Sequence, residues 1–282
     1  MSSLDHKIDF AVVFTVRNAN PNGDPLNGNR PRQNYDGYGE VSDVCIKRKI
    51  RNRLQDAGES IFVQSDDRKD DGFKSLKERA DAQKDLKDAA EKKKNSDLVA
   101  EIACKTWMDV RSFGQVFAFK GDALSVGVRG PVSIHPAVSL HPIDISSIQI
   151  TKSVNSTTSE KKGSDTMGMK HRVDFGIYVF YGSINTQLAE KTGFTNDDAE
   201  KIKQALISLY ENDASSARPD GSMEVHKVYW WEHNSKLGQY SSAKVHRSIH
   251  LNLKTEEPRS IEDLEINVEE LDGLPVKVYD GQ

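Results

Sequence analysis

The sequence predicts an α+β fold in one elaborated domain, and three observations carry that expectation. Residues 8–16, IDFAVVFTV, alternate Ile8, Phe10, Val12, Phe14 and Val16 with a mostly apolar second face, the pattern of a central strand. Residues 42–57, SDVCIKRKIRNRLQDA, place Ile46, Ile50, Leu54 and Ala57 on one narrow helical stripe. Residues 173–181, VDFGIYVFY, alternate once more, through Val173, Phe175, Ile177, Val179 and Tyr181.

Between the first strand and the helix lies NANPNGDPLNGNRPR, residues 18–32, with five Asn, three Pro and two Gly but only Leu26 as a sizeable apolar side chain. Each Pro removes a backbone donor and each Asn-Gly favours a turn, so the strand cannot continue. Ser42 or Asp43 caps the helix and Gly58 closes it. Gly37 and Gly39 precede its N-terminus, but the spacing of a Walker phosphate loop is absent, and ordinary capping is the simpler reading.

Residues 66–101 are dense in charge, centred on KDLKDAAEKKKNSD, and predict exposed helix or a mobile insertion without a core. Residues 104–119 predict a partly buried helix or turn region. Strands are expected at 123–129 and 143–152, the second with a bulge where the apolar phase shifts from Ile143 and Ile145 to Ile148 and Ile150. The polar stretch 153–170 then makes the tip of a protruding hairpin. Thr195 and Asp198 form a capping box for a helix whose Ala199, Ile202, Leu206 and Leu209 share a face. Strands at 223–231 and 245–253 follow. Stripped of its additions the order is βαββαβ, the ferredoxin-like split plan.

The function classes narrow by composition. The longest apolar runs fall far short of the roughly 20 residues of a membrane span. The start MSSLDHKIDF carries acids and no apolar run, so no secretory signal is expected. Cys45 and Cys104 lie far apart without a CxxC, which fits a reducing cytosol and a cytoplasmic protein. Net charge is −4, but residues 255–282 hold nine acids and two bases, leaving a body of +3 and an acidic C-terminal segment.

The bases are clustered. Lys47, Arg48, Lys49, Arg51 and Arg53 crowd one helix, with like charges at i,i+4 that cost a few tenths of a kcal/mol each in a bare helix. An anionic partner explains this; so would pairing with acids of residues 66–101. The hairpin carries Lys152, Lys161, Lys162, Lys170 and Arg172 against Glu160 and Asp165, with Met167 and Met169 beside His171. Apolar side chains in such company suit a wedge between nucleic-acid bases. Enzyme readings are weaker. His246 and His250 sit four apart in a strand-like run with no third metal ligand in spacing, and His135 and His141 precede prolines in a loop-like IHPAVSLHP. No metal or cofactor is expected. His171 with Lys170 could serve metal-independent RNA cleavage, but no nucleophile motif accompanies them.

Four stretches together carry a resemblance: NPNGDPLNGNRPR at 20–32, DVCIKRKIR at 43–51, VGVRGPVSI at 126–134 and TMGMKHRVD at 166–174. They are similar to the backbone subunit of type I-C CRISPR Cascade surveillance complexes, the Csd family of the RAMP superfamily, over nearly the whole chain. The resemblance implies an RRM-like palm, a helical fingers insertion at 60–122, a β-hairpin thumb at 150–172 and an acidic segment at 255–282. It implies a non-catalytic scaffold that oligomerises along CRISPR RNA and presents it to a target DNA strand. Its implied partners are neighbouring copies and the large, small and repeat-processing subunits; a RAMP ribonuclease that processes CRISPR RNA, with His171, Lys170, Asp24 or Asp36 as catalyst, is the alternative. RNA contacts are then expected from Asn20, Asn22, Gly23, Asn27, Arg30 and Arg32 of the loop. The helix adds Lys47, Arg48, Lys49, Arg51 and Arg53, and further contacts fall to Arg129, Met167, Met169, Lys170, His171 and Arg172. A loop that tracks a polymer needs backbone N–H groups, amides and guanidinium groups rather than base readout. The aromatic signature of RNA-binding RRM strands is missing, so stacking on the sheet is not expected.

Overall fold

The computed structural model describes residues 3–118, 125–151 and 167–282. In chain order the first elements are strand β1 (Ile8–Ala19), short strands β2 (Gly23–Asp24) and β3 (Arg30–Pro31), strand β4 (Tyr38–Val41) and helix α1 (Asp43–Asp56). Helices α2 (Leu76–Ala82), α3 (Lys84–Glu91), α4 (Ser96–Thr106) and α5 (Met108–Phe113) follow, then strands β5 (Gly114–Phe117), β6 (Val126–Arg129), β7 (Val132–Ile134), β8 (Ala137–Pro142), β9 (Ile145–Thr151) and β10 (Met167–Ile184). The chain continues through α6 (Thr186–Thr192), α7 (Asn196–Ile207), β11 (Met223–Glu232), α8 (Ser242–Arg247), β12 (Ile249–Leu253), β13 (Leu264–Val268) and β14 (Val276–Asp280).

A large antiparallel sheet runs in the order β14-β11-β1-β10-β8-β4. β1 is central because both its faces are apolar. Ile8, Phe10, Val12, Phe14 and Val16 enter one core while Ala11 and Val13 enter the other. β10 is 18 residues long and is paired along its second edge in turn by β9, β8 and β7. Its Phe175, Ile177 and Val179 face the second core and its Tyr178 and Phe180 the first.

Helices α1 and α7 cover the first face. Ile46, Ile50 and Leu54 of α1 are buried as expected, whereas Ala57 is exposed beyond the helix end. Ser42 accepts the Cys45 N–H at the N-terminus. At the other end Gly58, at φ +84°, donates to Gln55 O while Glu59 donates to Leu54 O, a Schellman closure that requires the left-handed backbone glycine permits. The Thr195–Asp198 capping box starts α7 and its Ala199, Ile202 and Leu206 are buried, as the spacing implied; Leu209 is buried too, but past the helix end.

Several expectations are corrected. The charge-dense segment is not coreless: Ala80, Leu86, Ala89 and Val99 pack with Phe62, Trp107 and Phe117, with the Phe62 and Trp107 rings 4.6 Å apart. These small apolar residues are hidden among charges in sequence, and the aromatics that gather them come from the flanks. The region 104–119 holds helix as expected, in the end of α4 and in α5, followed by β5, and residue 119 lies outside the described residues. The strand expected at 123–129 is β6, and residues 123–124 lie outside the described residues. The ladder of β9 on β10 runs from Ile145 to Thr151 without a register shift, so no bulge forms there; Ile148 and Ile150 are exposed instead. The loop-like IHPAVSLHP contains β8, whose flanking prolines masked it. His246 sits on the short helix α8, not in a strand, and only Ile249–Leu253 of that region extends.

The acidic segment is no free tail. β13 pairs with β12, and Leu264, Leu271 and Leu274 are buried against the second face. β14 adds an edge strand beside β11, held further by Lys227–Asp280 and Lys277–Glu232 ion pairs. Among the described residues no helix is long and apolar enough to cross a membrane.

Candidate nucleic-acid interface

The polar loop between β1 and β4 is built largely by its own asparagines. Asn20 is buried, donates its amide to Asn29 O at 2.7 Å, and bonds through its backbone N–H to Ala217 O. Asn22 accepts the Ser42 N–H, which ties the loop to the start of α1. Gly23 approaches the returning strand so closely that a Cβ would lie 2.0 Å from Asn29 Oδ1. Asn20, Asn22 and Gly23 therefore shape the loop, while Leu26 and Asn27 stand exposed at its tip. Arg32 lies 3.6 Å from Asp24.

Most bases of α1 find partners inside the fold, and of residues 66–101 it is Asp67 that contributes, facing Arg48. Lys47 pairs with Asp43, Arg51 with Asp109, Arg53 with Asp56, and the buried Lys49 with Asp213; Arg48 donates to Val63 O at 2.6 Å. Asp109, itself buried, also accepts the Phe62 and Val63 N–H groups, so Arg51 serves the junction with the insertion. Burial pulls the Lys49 ammonium below the ordinary lysine value, and Asp213 opposes that shift. Burial likewise lowers the Arg48 guanidinium.

A cleft of about 210 Å³ opens between α1 and the loops at 65–68 and 212–218. Arg48, Lys49, Arg68 and Arg218 line it against Asp67 and Asp213, with a buried Asn52 Oδ1 that has no partner. Arg218 also reaches Asn20 O at 3.4 Å, linking the cleft to the polar loop. Asn52, Arg68 and Arg218 escaped the sequence reading. The two arginines sit in irregular loops, where no periodicity marks them.

The hairpin of β9 and β10 supplies the second part. Met167 and Met169 are 63% and 55% exposed, and Lys170 is exposed beside them. Arg172 lies 3.8 Å from Asp174. Arg30 of the polar loop donates to Ser147 Oγ at 2.8 Å, and that oxygen lies 2.9 Å from His171 Nδ1. Loop and hairpin thus meet at one point. Arg129 is exposed on β6, in the separate β5–β6 sheet. Lys152, Lys161, Lys162, Glu160 and Asp165 of the hairpin tip lie outside the described residues.

Chemically the arrangement offers cations, amides and exposed thioethers, suited to an anionic polymer. Among the described residues no cluster of His, Cys, Asp and Glu could hold a metal ion. The thiols are quiet: burial raises Cys45, and pushes Cys104 up to about 11.

Residues 6–269 match the family described as CRISPR-associated protein Cas7. The chain belongs to the Cas7 family. A Haloferax volcanii protein named CRISPR-associated protein Cas7 is 27% identical over 296 residues, spanning 96% of this Cas7-family chain and 83% of its own length. Two solved chains are also similar. One, from a CRISPR RNA-guided surveillance complex in a pre-nicking state, has a TM-score of 0.48 at 18% identity, covering 80% of this chain and 75% of that one. The other, from a CRISPR RNA-guided surveillance complex, has a TM-score of 0.47 at 17% identity, covering 80% and 68%.

Proposed function

We propose that this Cas7-family chain is a non-catalytic scaffold that binds CRISPR RNA and oligomerises along it in a type I-C Cascade complex. The observation that carries the reading is the β9–β10 hairpin, which projects exposed Met167 and Met169 beside Lys170, His171 and Arg172 and joins the polar loop through Arg30. An RRM-like palm is supported by the chain order β1-α1-β8-β10-α7-β11 combined with the sheet order β11-β1-β10-β8. Residues 60–122 act as fingers and 150–172 as thumb in this reading. The guide's phosphates run past Arg30, Arg32, Asn27 and the cationic cleft, and the methionines wedge between unstacked bases. Neighbouring copies, the target DNA strand and the large, small and repeat-processing subunits are the partners, in the cytoplasm. The 255–282 segment, being folded in, offers other copies its exposed acids rather than a mobile tail.

The ribonuclease alternative loses ground on geometry. Lys170 and His171 are successive strand residues and point to opposite faces of the hairpin, so they cannot act jointly on one phosphate. Asp24 is occupied in capping the Leu26 N–H. Incubation of the purified chain with labelled repeat RNA, with and without magnesium, tests this. Retention of intact RNA in both is the expected result, and cleavage in either would replace the scaffold with an enzyme.

A further inference from the structure

We infer that Ser147, which no sequence pattern marks, is the positioning residue that sets Arg30 and His171 for nucleic acid; this deepens the guide-binding reading and rests on it. Ser147 on β9 stands directly opposite His171 on β10. Directly opposed residues in an antiparallel pair share a face, and successive residues alternate. Ser147 and His171 therefore share theirs with the opposed pairs Gln149–Met169 and Thr151–Met167. The other face carries Ser146 with Arg172 and Ile148 with Lys170.

The donor inventory fixes the direction of each hydrogen bond. A guanidinium only donates, so Ser147 Oγ accepts from Arg30 Nη1 at 2.8 Å on a lone pair. Arg30 Nη1 is also 3.5 Å from His171 Nδ1, where a second N–H donor would be opposed. The Ser147 O–H therefore turns to His171 Nδ1, 2.9 Å away, and Nδ1 accepts. The imidazole proton then resides on Nε2, at the far side of the ring. One hydroxyl thus anchors a cation from the loop and selects a histidine tautomer on the methionine face of the hairpin. The product is an aimed N–H donor and a fixed guanidinium beside two exposed thioethers, suited to phosphate or 2′-hydroxyl oxygens of a single strand.

The adjacent serine is a matched control. Ser146 Oγ donates to Asp174 Oδ2 at 2.8 Å on the opposite face. The test compares full-length Ser147→Ala, Ser147→Thr and Ser146→Ala. Each is titrated with labelled single-stranded RNA at fixed salt, and its imidazole nitrogens are read by NMR on RNA-free protein labelled with ¹⁵N-histidine. Ser147→Ala is expected to bind about tenfold more weakly, the loss of one hydrogen bond to a charged group, with the His171 resonances leaving the Nε2–H pattern and thermal unfolding unchanged. Ser147→Thr, which restores the hydroxyl, should keep both properties, and Ser146→Ala should keep both. Unchanged affinity and an unchanged imidazole pattern in Ser147→Ala would overturn the inference, as would an equal loss in Ser146→Ala. Failure of the wild-type chain to bind RNA would instead overturn the guide-binding reading on which it rests.

Discussion

Removing Asp213 should expose how the cleft is held together. Lys49 is 4% exposed, and its ammonium faces Asp213, which also takes Arg218 Nε at 3.2 Å. Asp213→Ala leaves a buried ammonium uncompensated beside a second cation. Breaking a buried pair from one side costs about 3–5 kcal/mol, and the partial exposure of Asp213 places this case near about 3 kcal/mol. Lys49→Met removes the charge that burial penalises and leaves Asp213 bound to Arg218, so it should cost less than about 1 kcal/mol.

The pH dependence separates the two further. The folded-state pKa of Lys49 is lowered by burial, and loss of Asp213 lowers it more. Between that value and the unfolded lysine value of about 10.4, the unfolded chain holds more protons, so stability rises with pH. The Asp213→Ala deficit is therefore full below the variant's folded-state Lys49 pKa and shrinks as pH rises from there to the wild-type folded-state value, which lies below the unfolded lysine value of about 10.4. Urea unfolding followed by the fluorescence of the three tryptophans, at neutral pH and at about pH 10, measures it. Equal losses for the two variants, or a deficit that does not change with pH, would refute the reasoning.

Met167→Gly combined with Met169→Gly should spare folding, since both side chains are exposed, and abolish periodic reactive nucleotides in chemical probing of bound RNA; a pattern that persists places the wedge elsewhere. Lys47→Glu with Lys170→Glu should weaken scrambled and natural guides alike and flatten the log–log salt dependence by about 0.7 for each phosphate no longer neutralised, while an unchanged slope means these lysines touch no phosphate. Truncation after residue 275 removes β14, whose Tyr279 ring centre lies 4.8 Å from Lys203 Nζ and whose backbone pairs with β11. It should cost about 2–4 kcal/mol in urea unfolding, the scale of burying two apolar side chains, and full-length stability would contradict its place in the sheet.

Legibility in sequence followed the range of the interactions. β1, β10, α1, α7 and β11 announce themselves through local period and caps: Ser42, Gly58 and the Thr195–Asp198 box act within a few residues. β8 was hidden by the prolines at 136 and 142, and α8 is too short at six residues to show a period. The core of the insertion depends on Phe62, Trp107 and Phe117 meeting across a charged stretch. Lys47–Asp43 and Arg53–Asp56 are local pairs, but the fate of two α1 bases was beyond local reading because their acids are distant: Lys49 meets Asp213 across 164 residues and Arg51 meets Asp109 across 58. The same holds for Ser147, which matters only because the chain brings Arg30 to it from 117 residues away. Met167 and Met169 were legible only as neighbours of His171; their shared face follows from β10 beginning at Met167, inside what the sequence suggested was the hairpin tip.

The most direct measurement is the native mass of the purified chain before and after RNase treatment. A guide-holding scaffold should appear as an assembly of several copies with bound RNA, with ultraviolet absorbance to match, and should shorten or fall apart as the exposed RNA is digested. A single-copy mass, free of nucleic acid and identical before and after RNase, would contradict the proposal that this chain assembles along RNA.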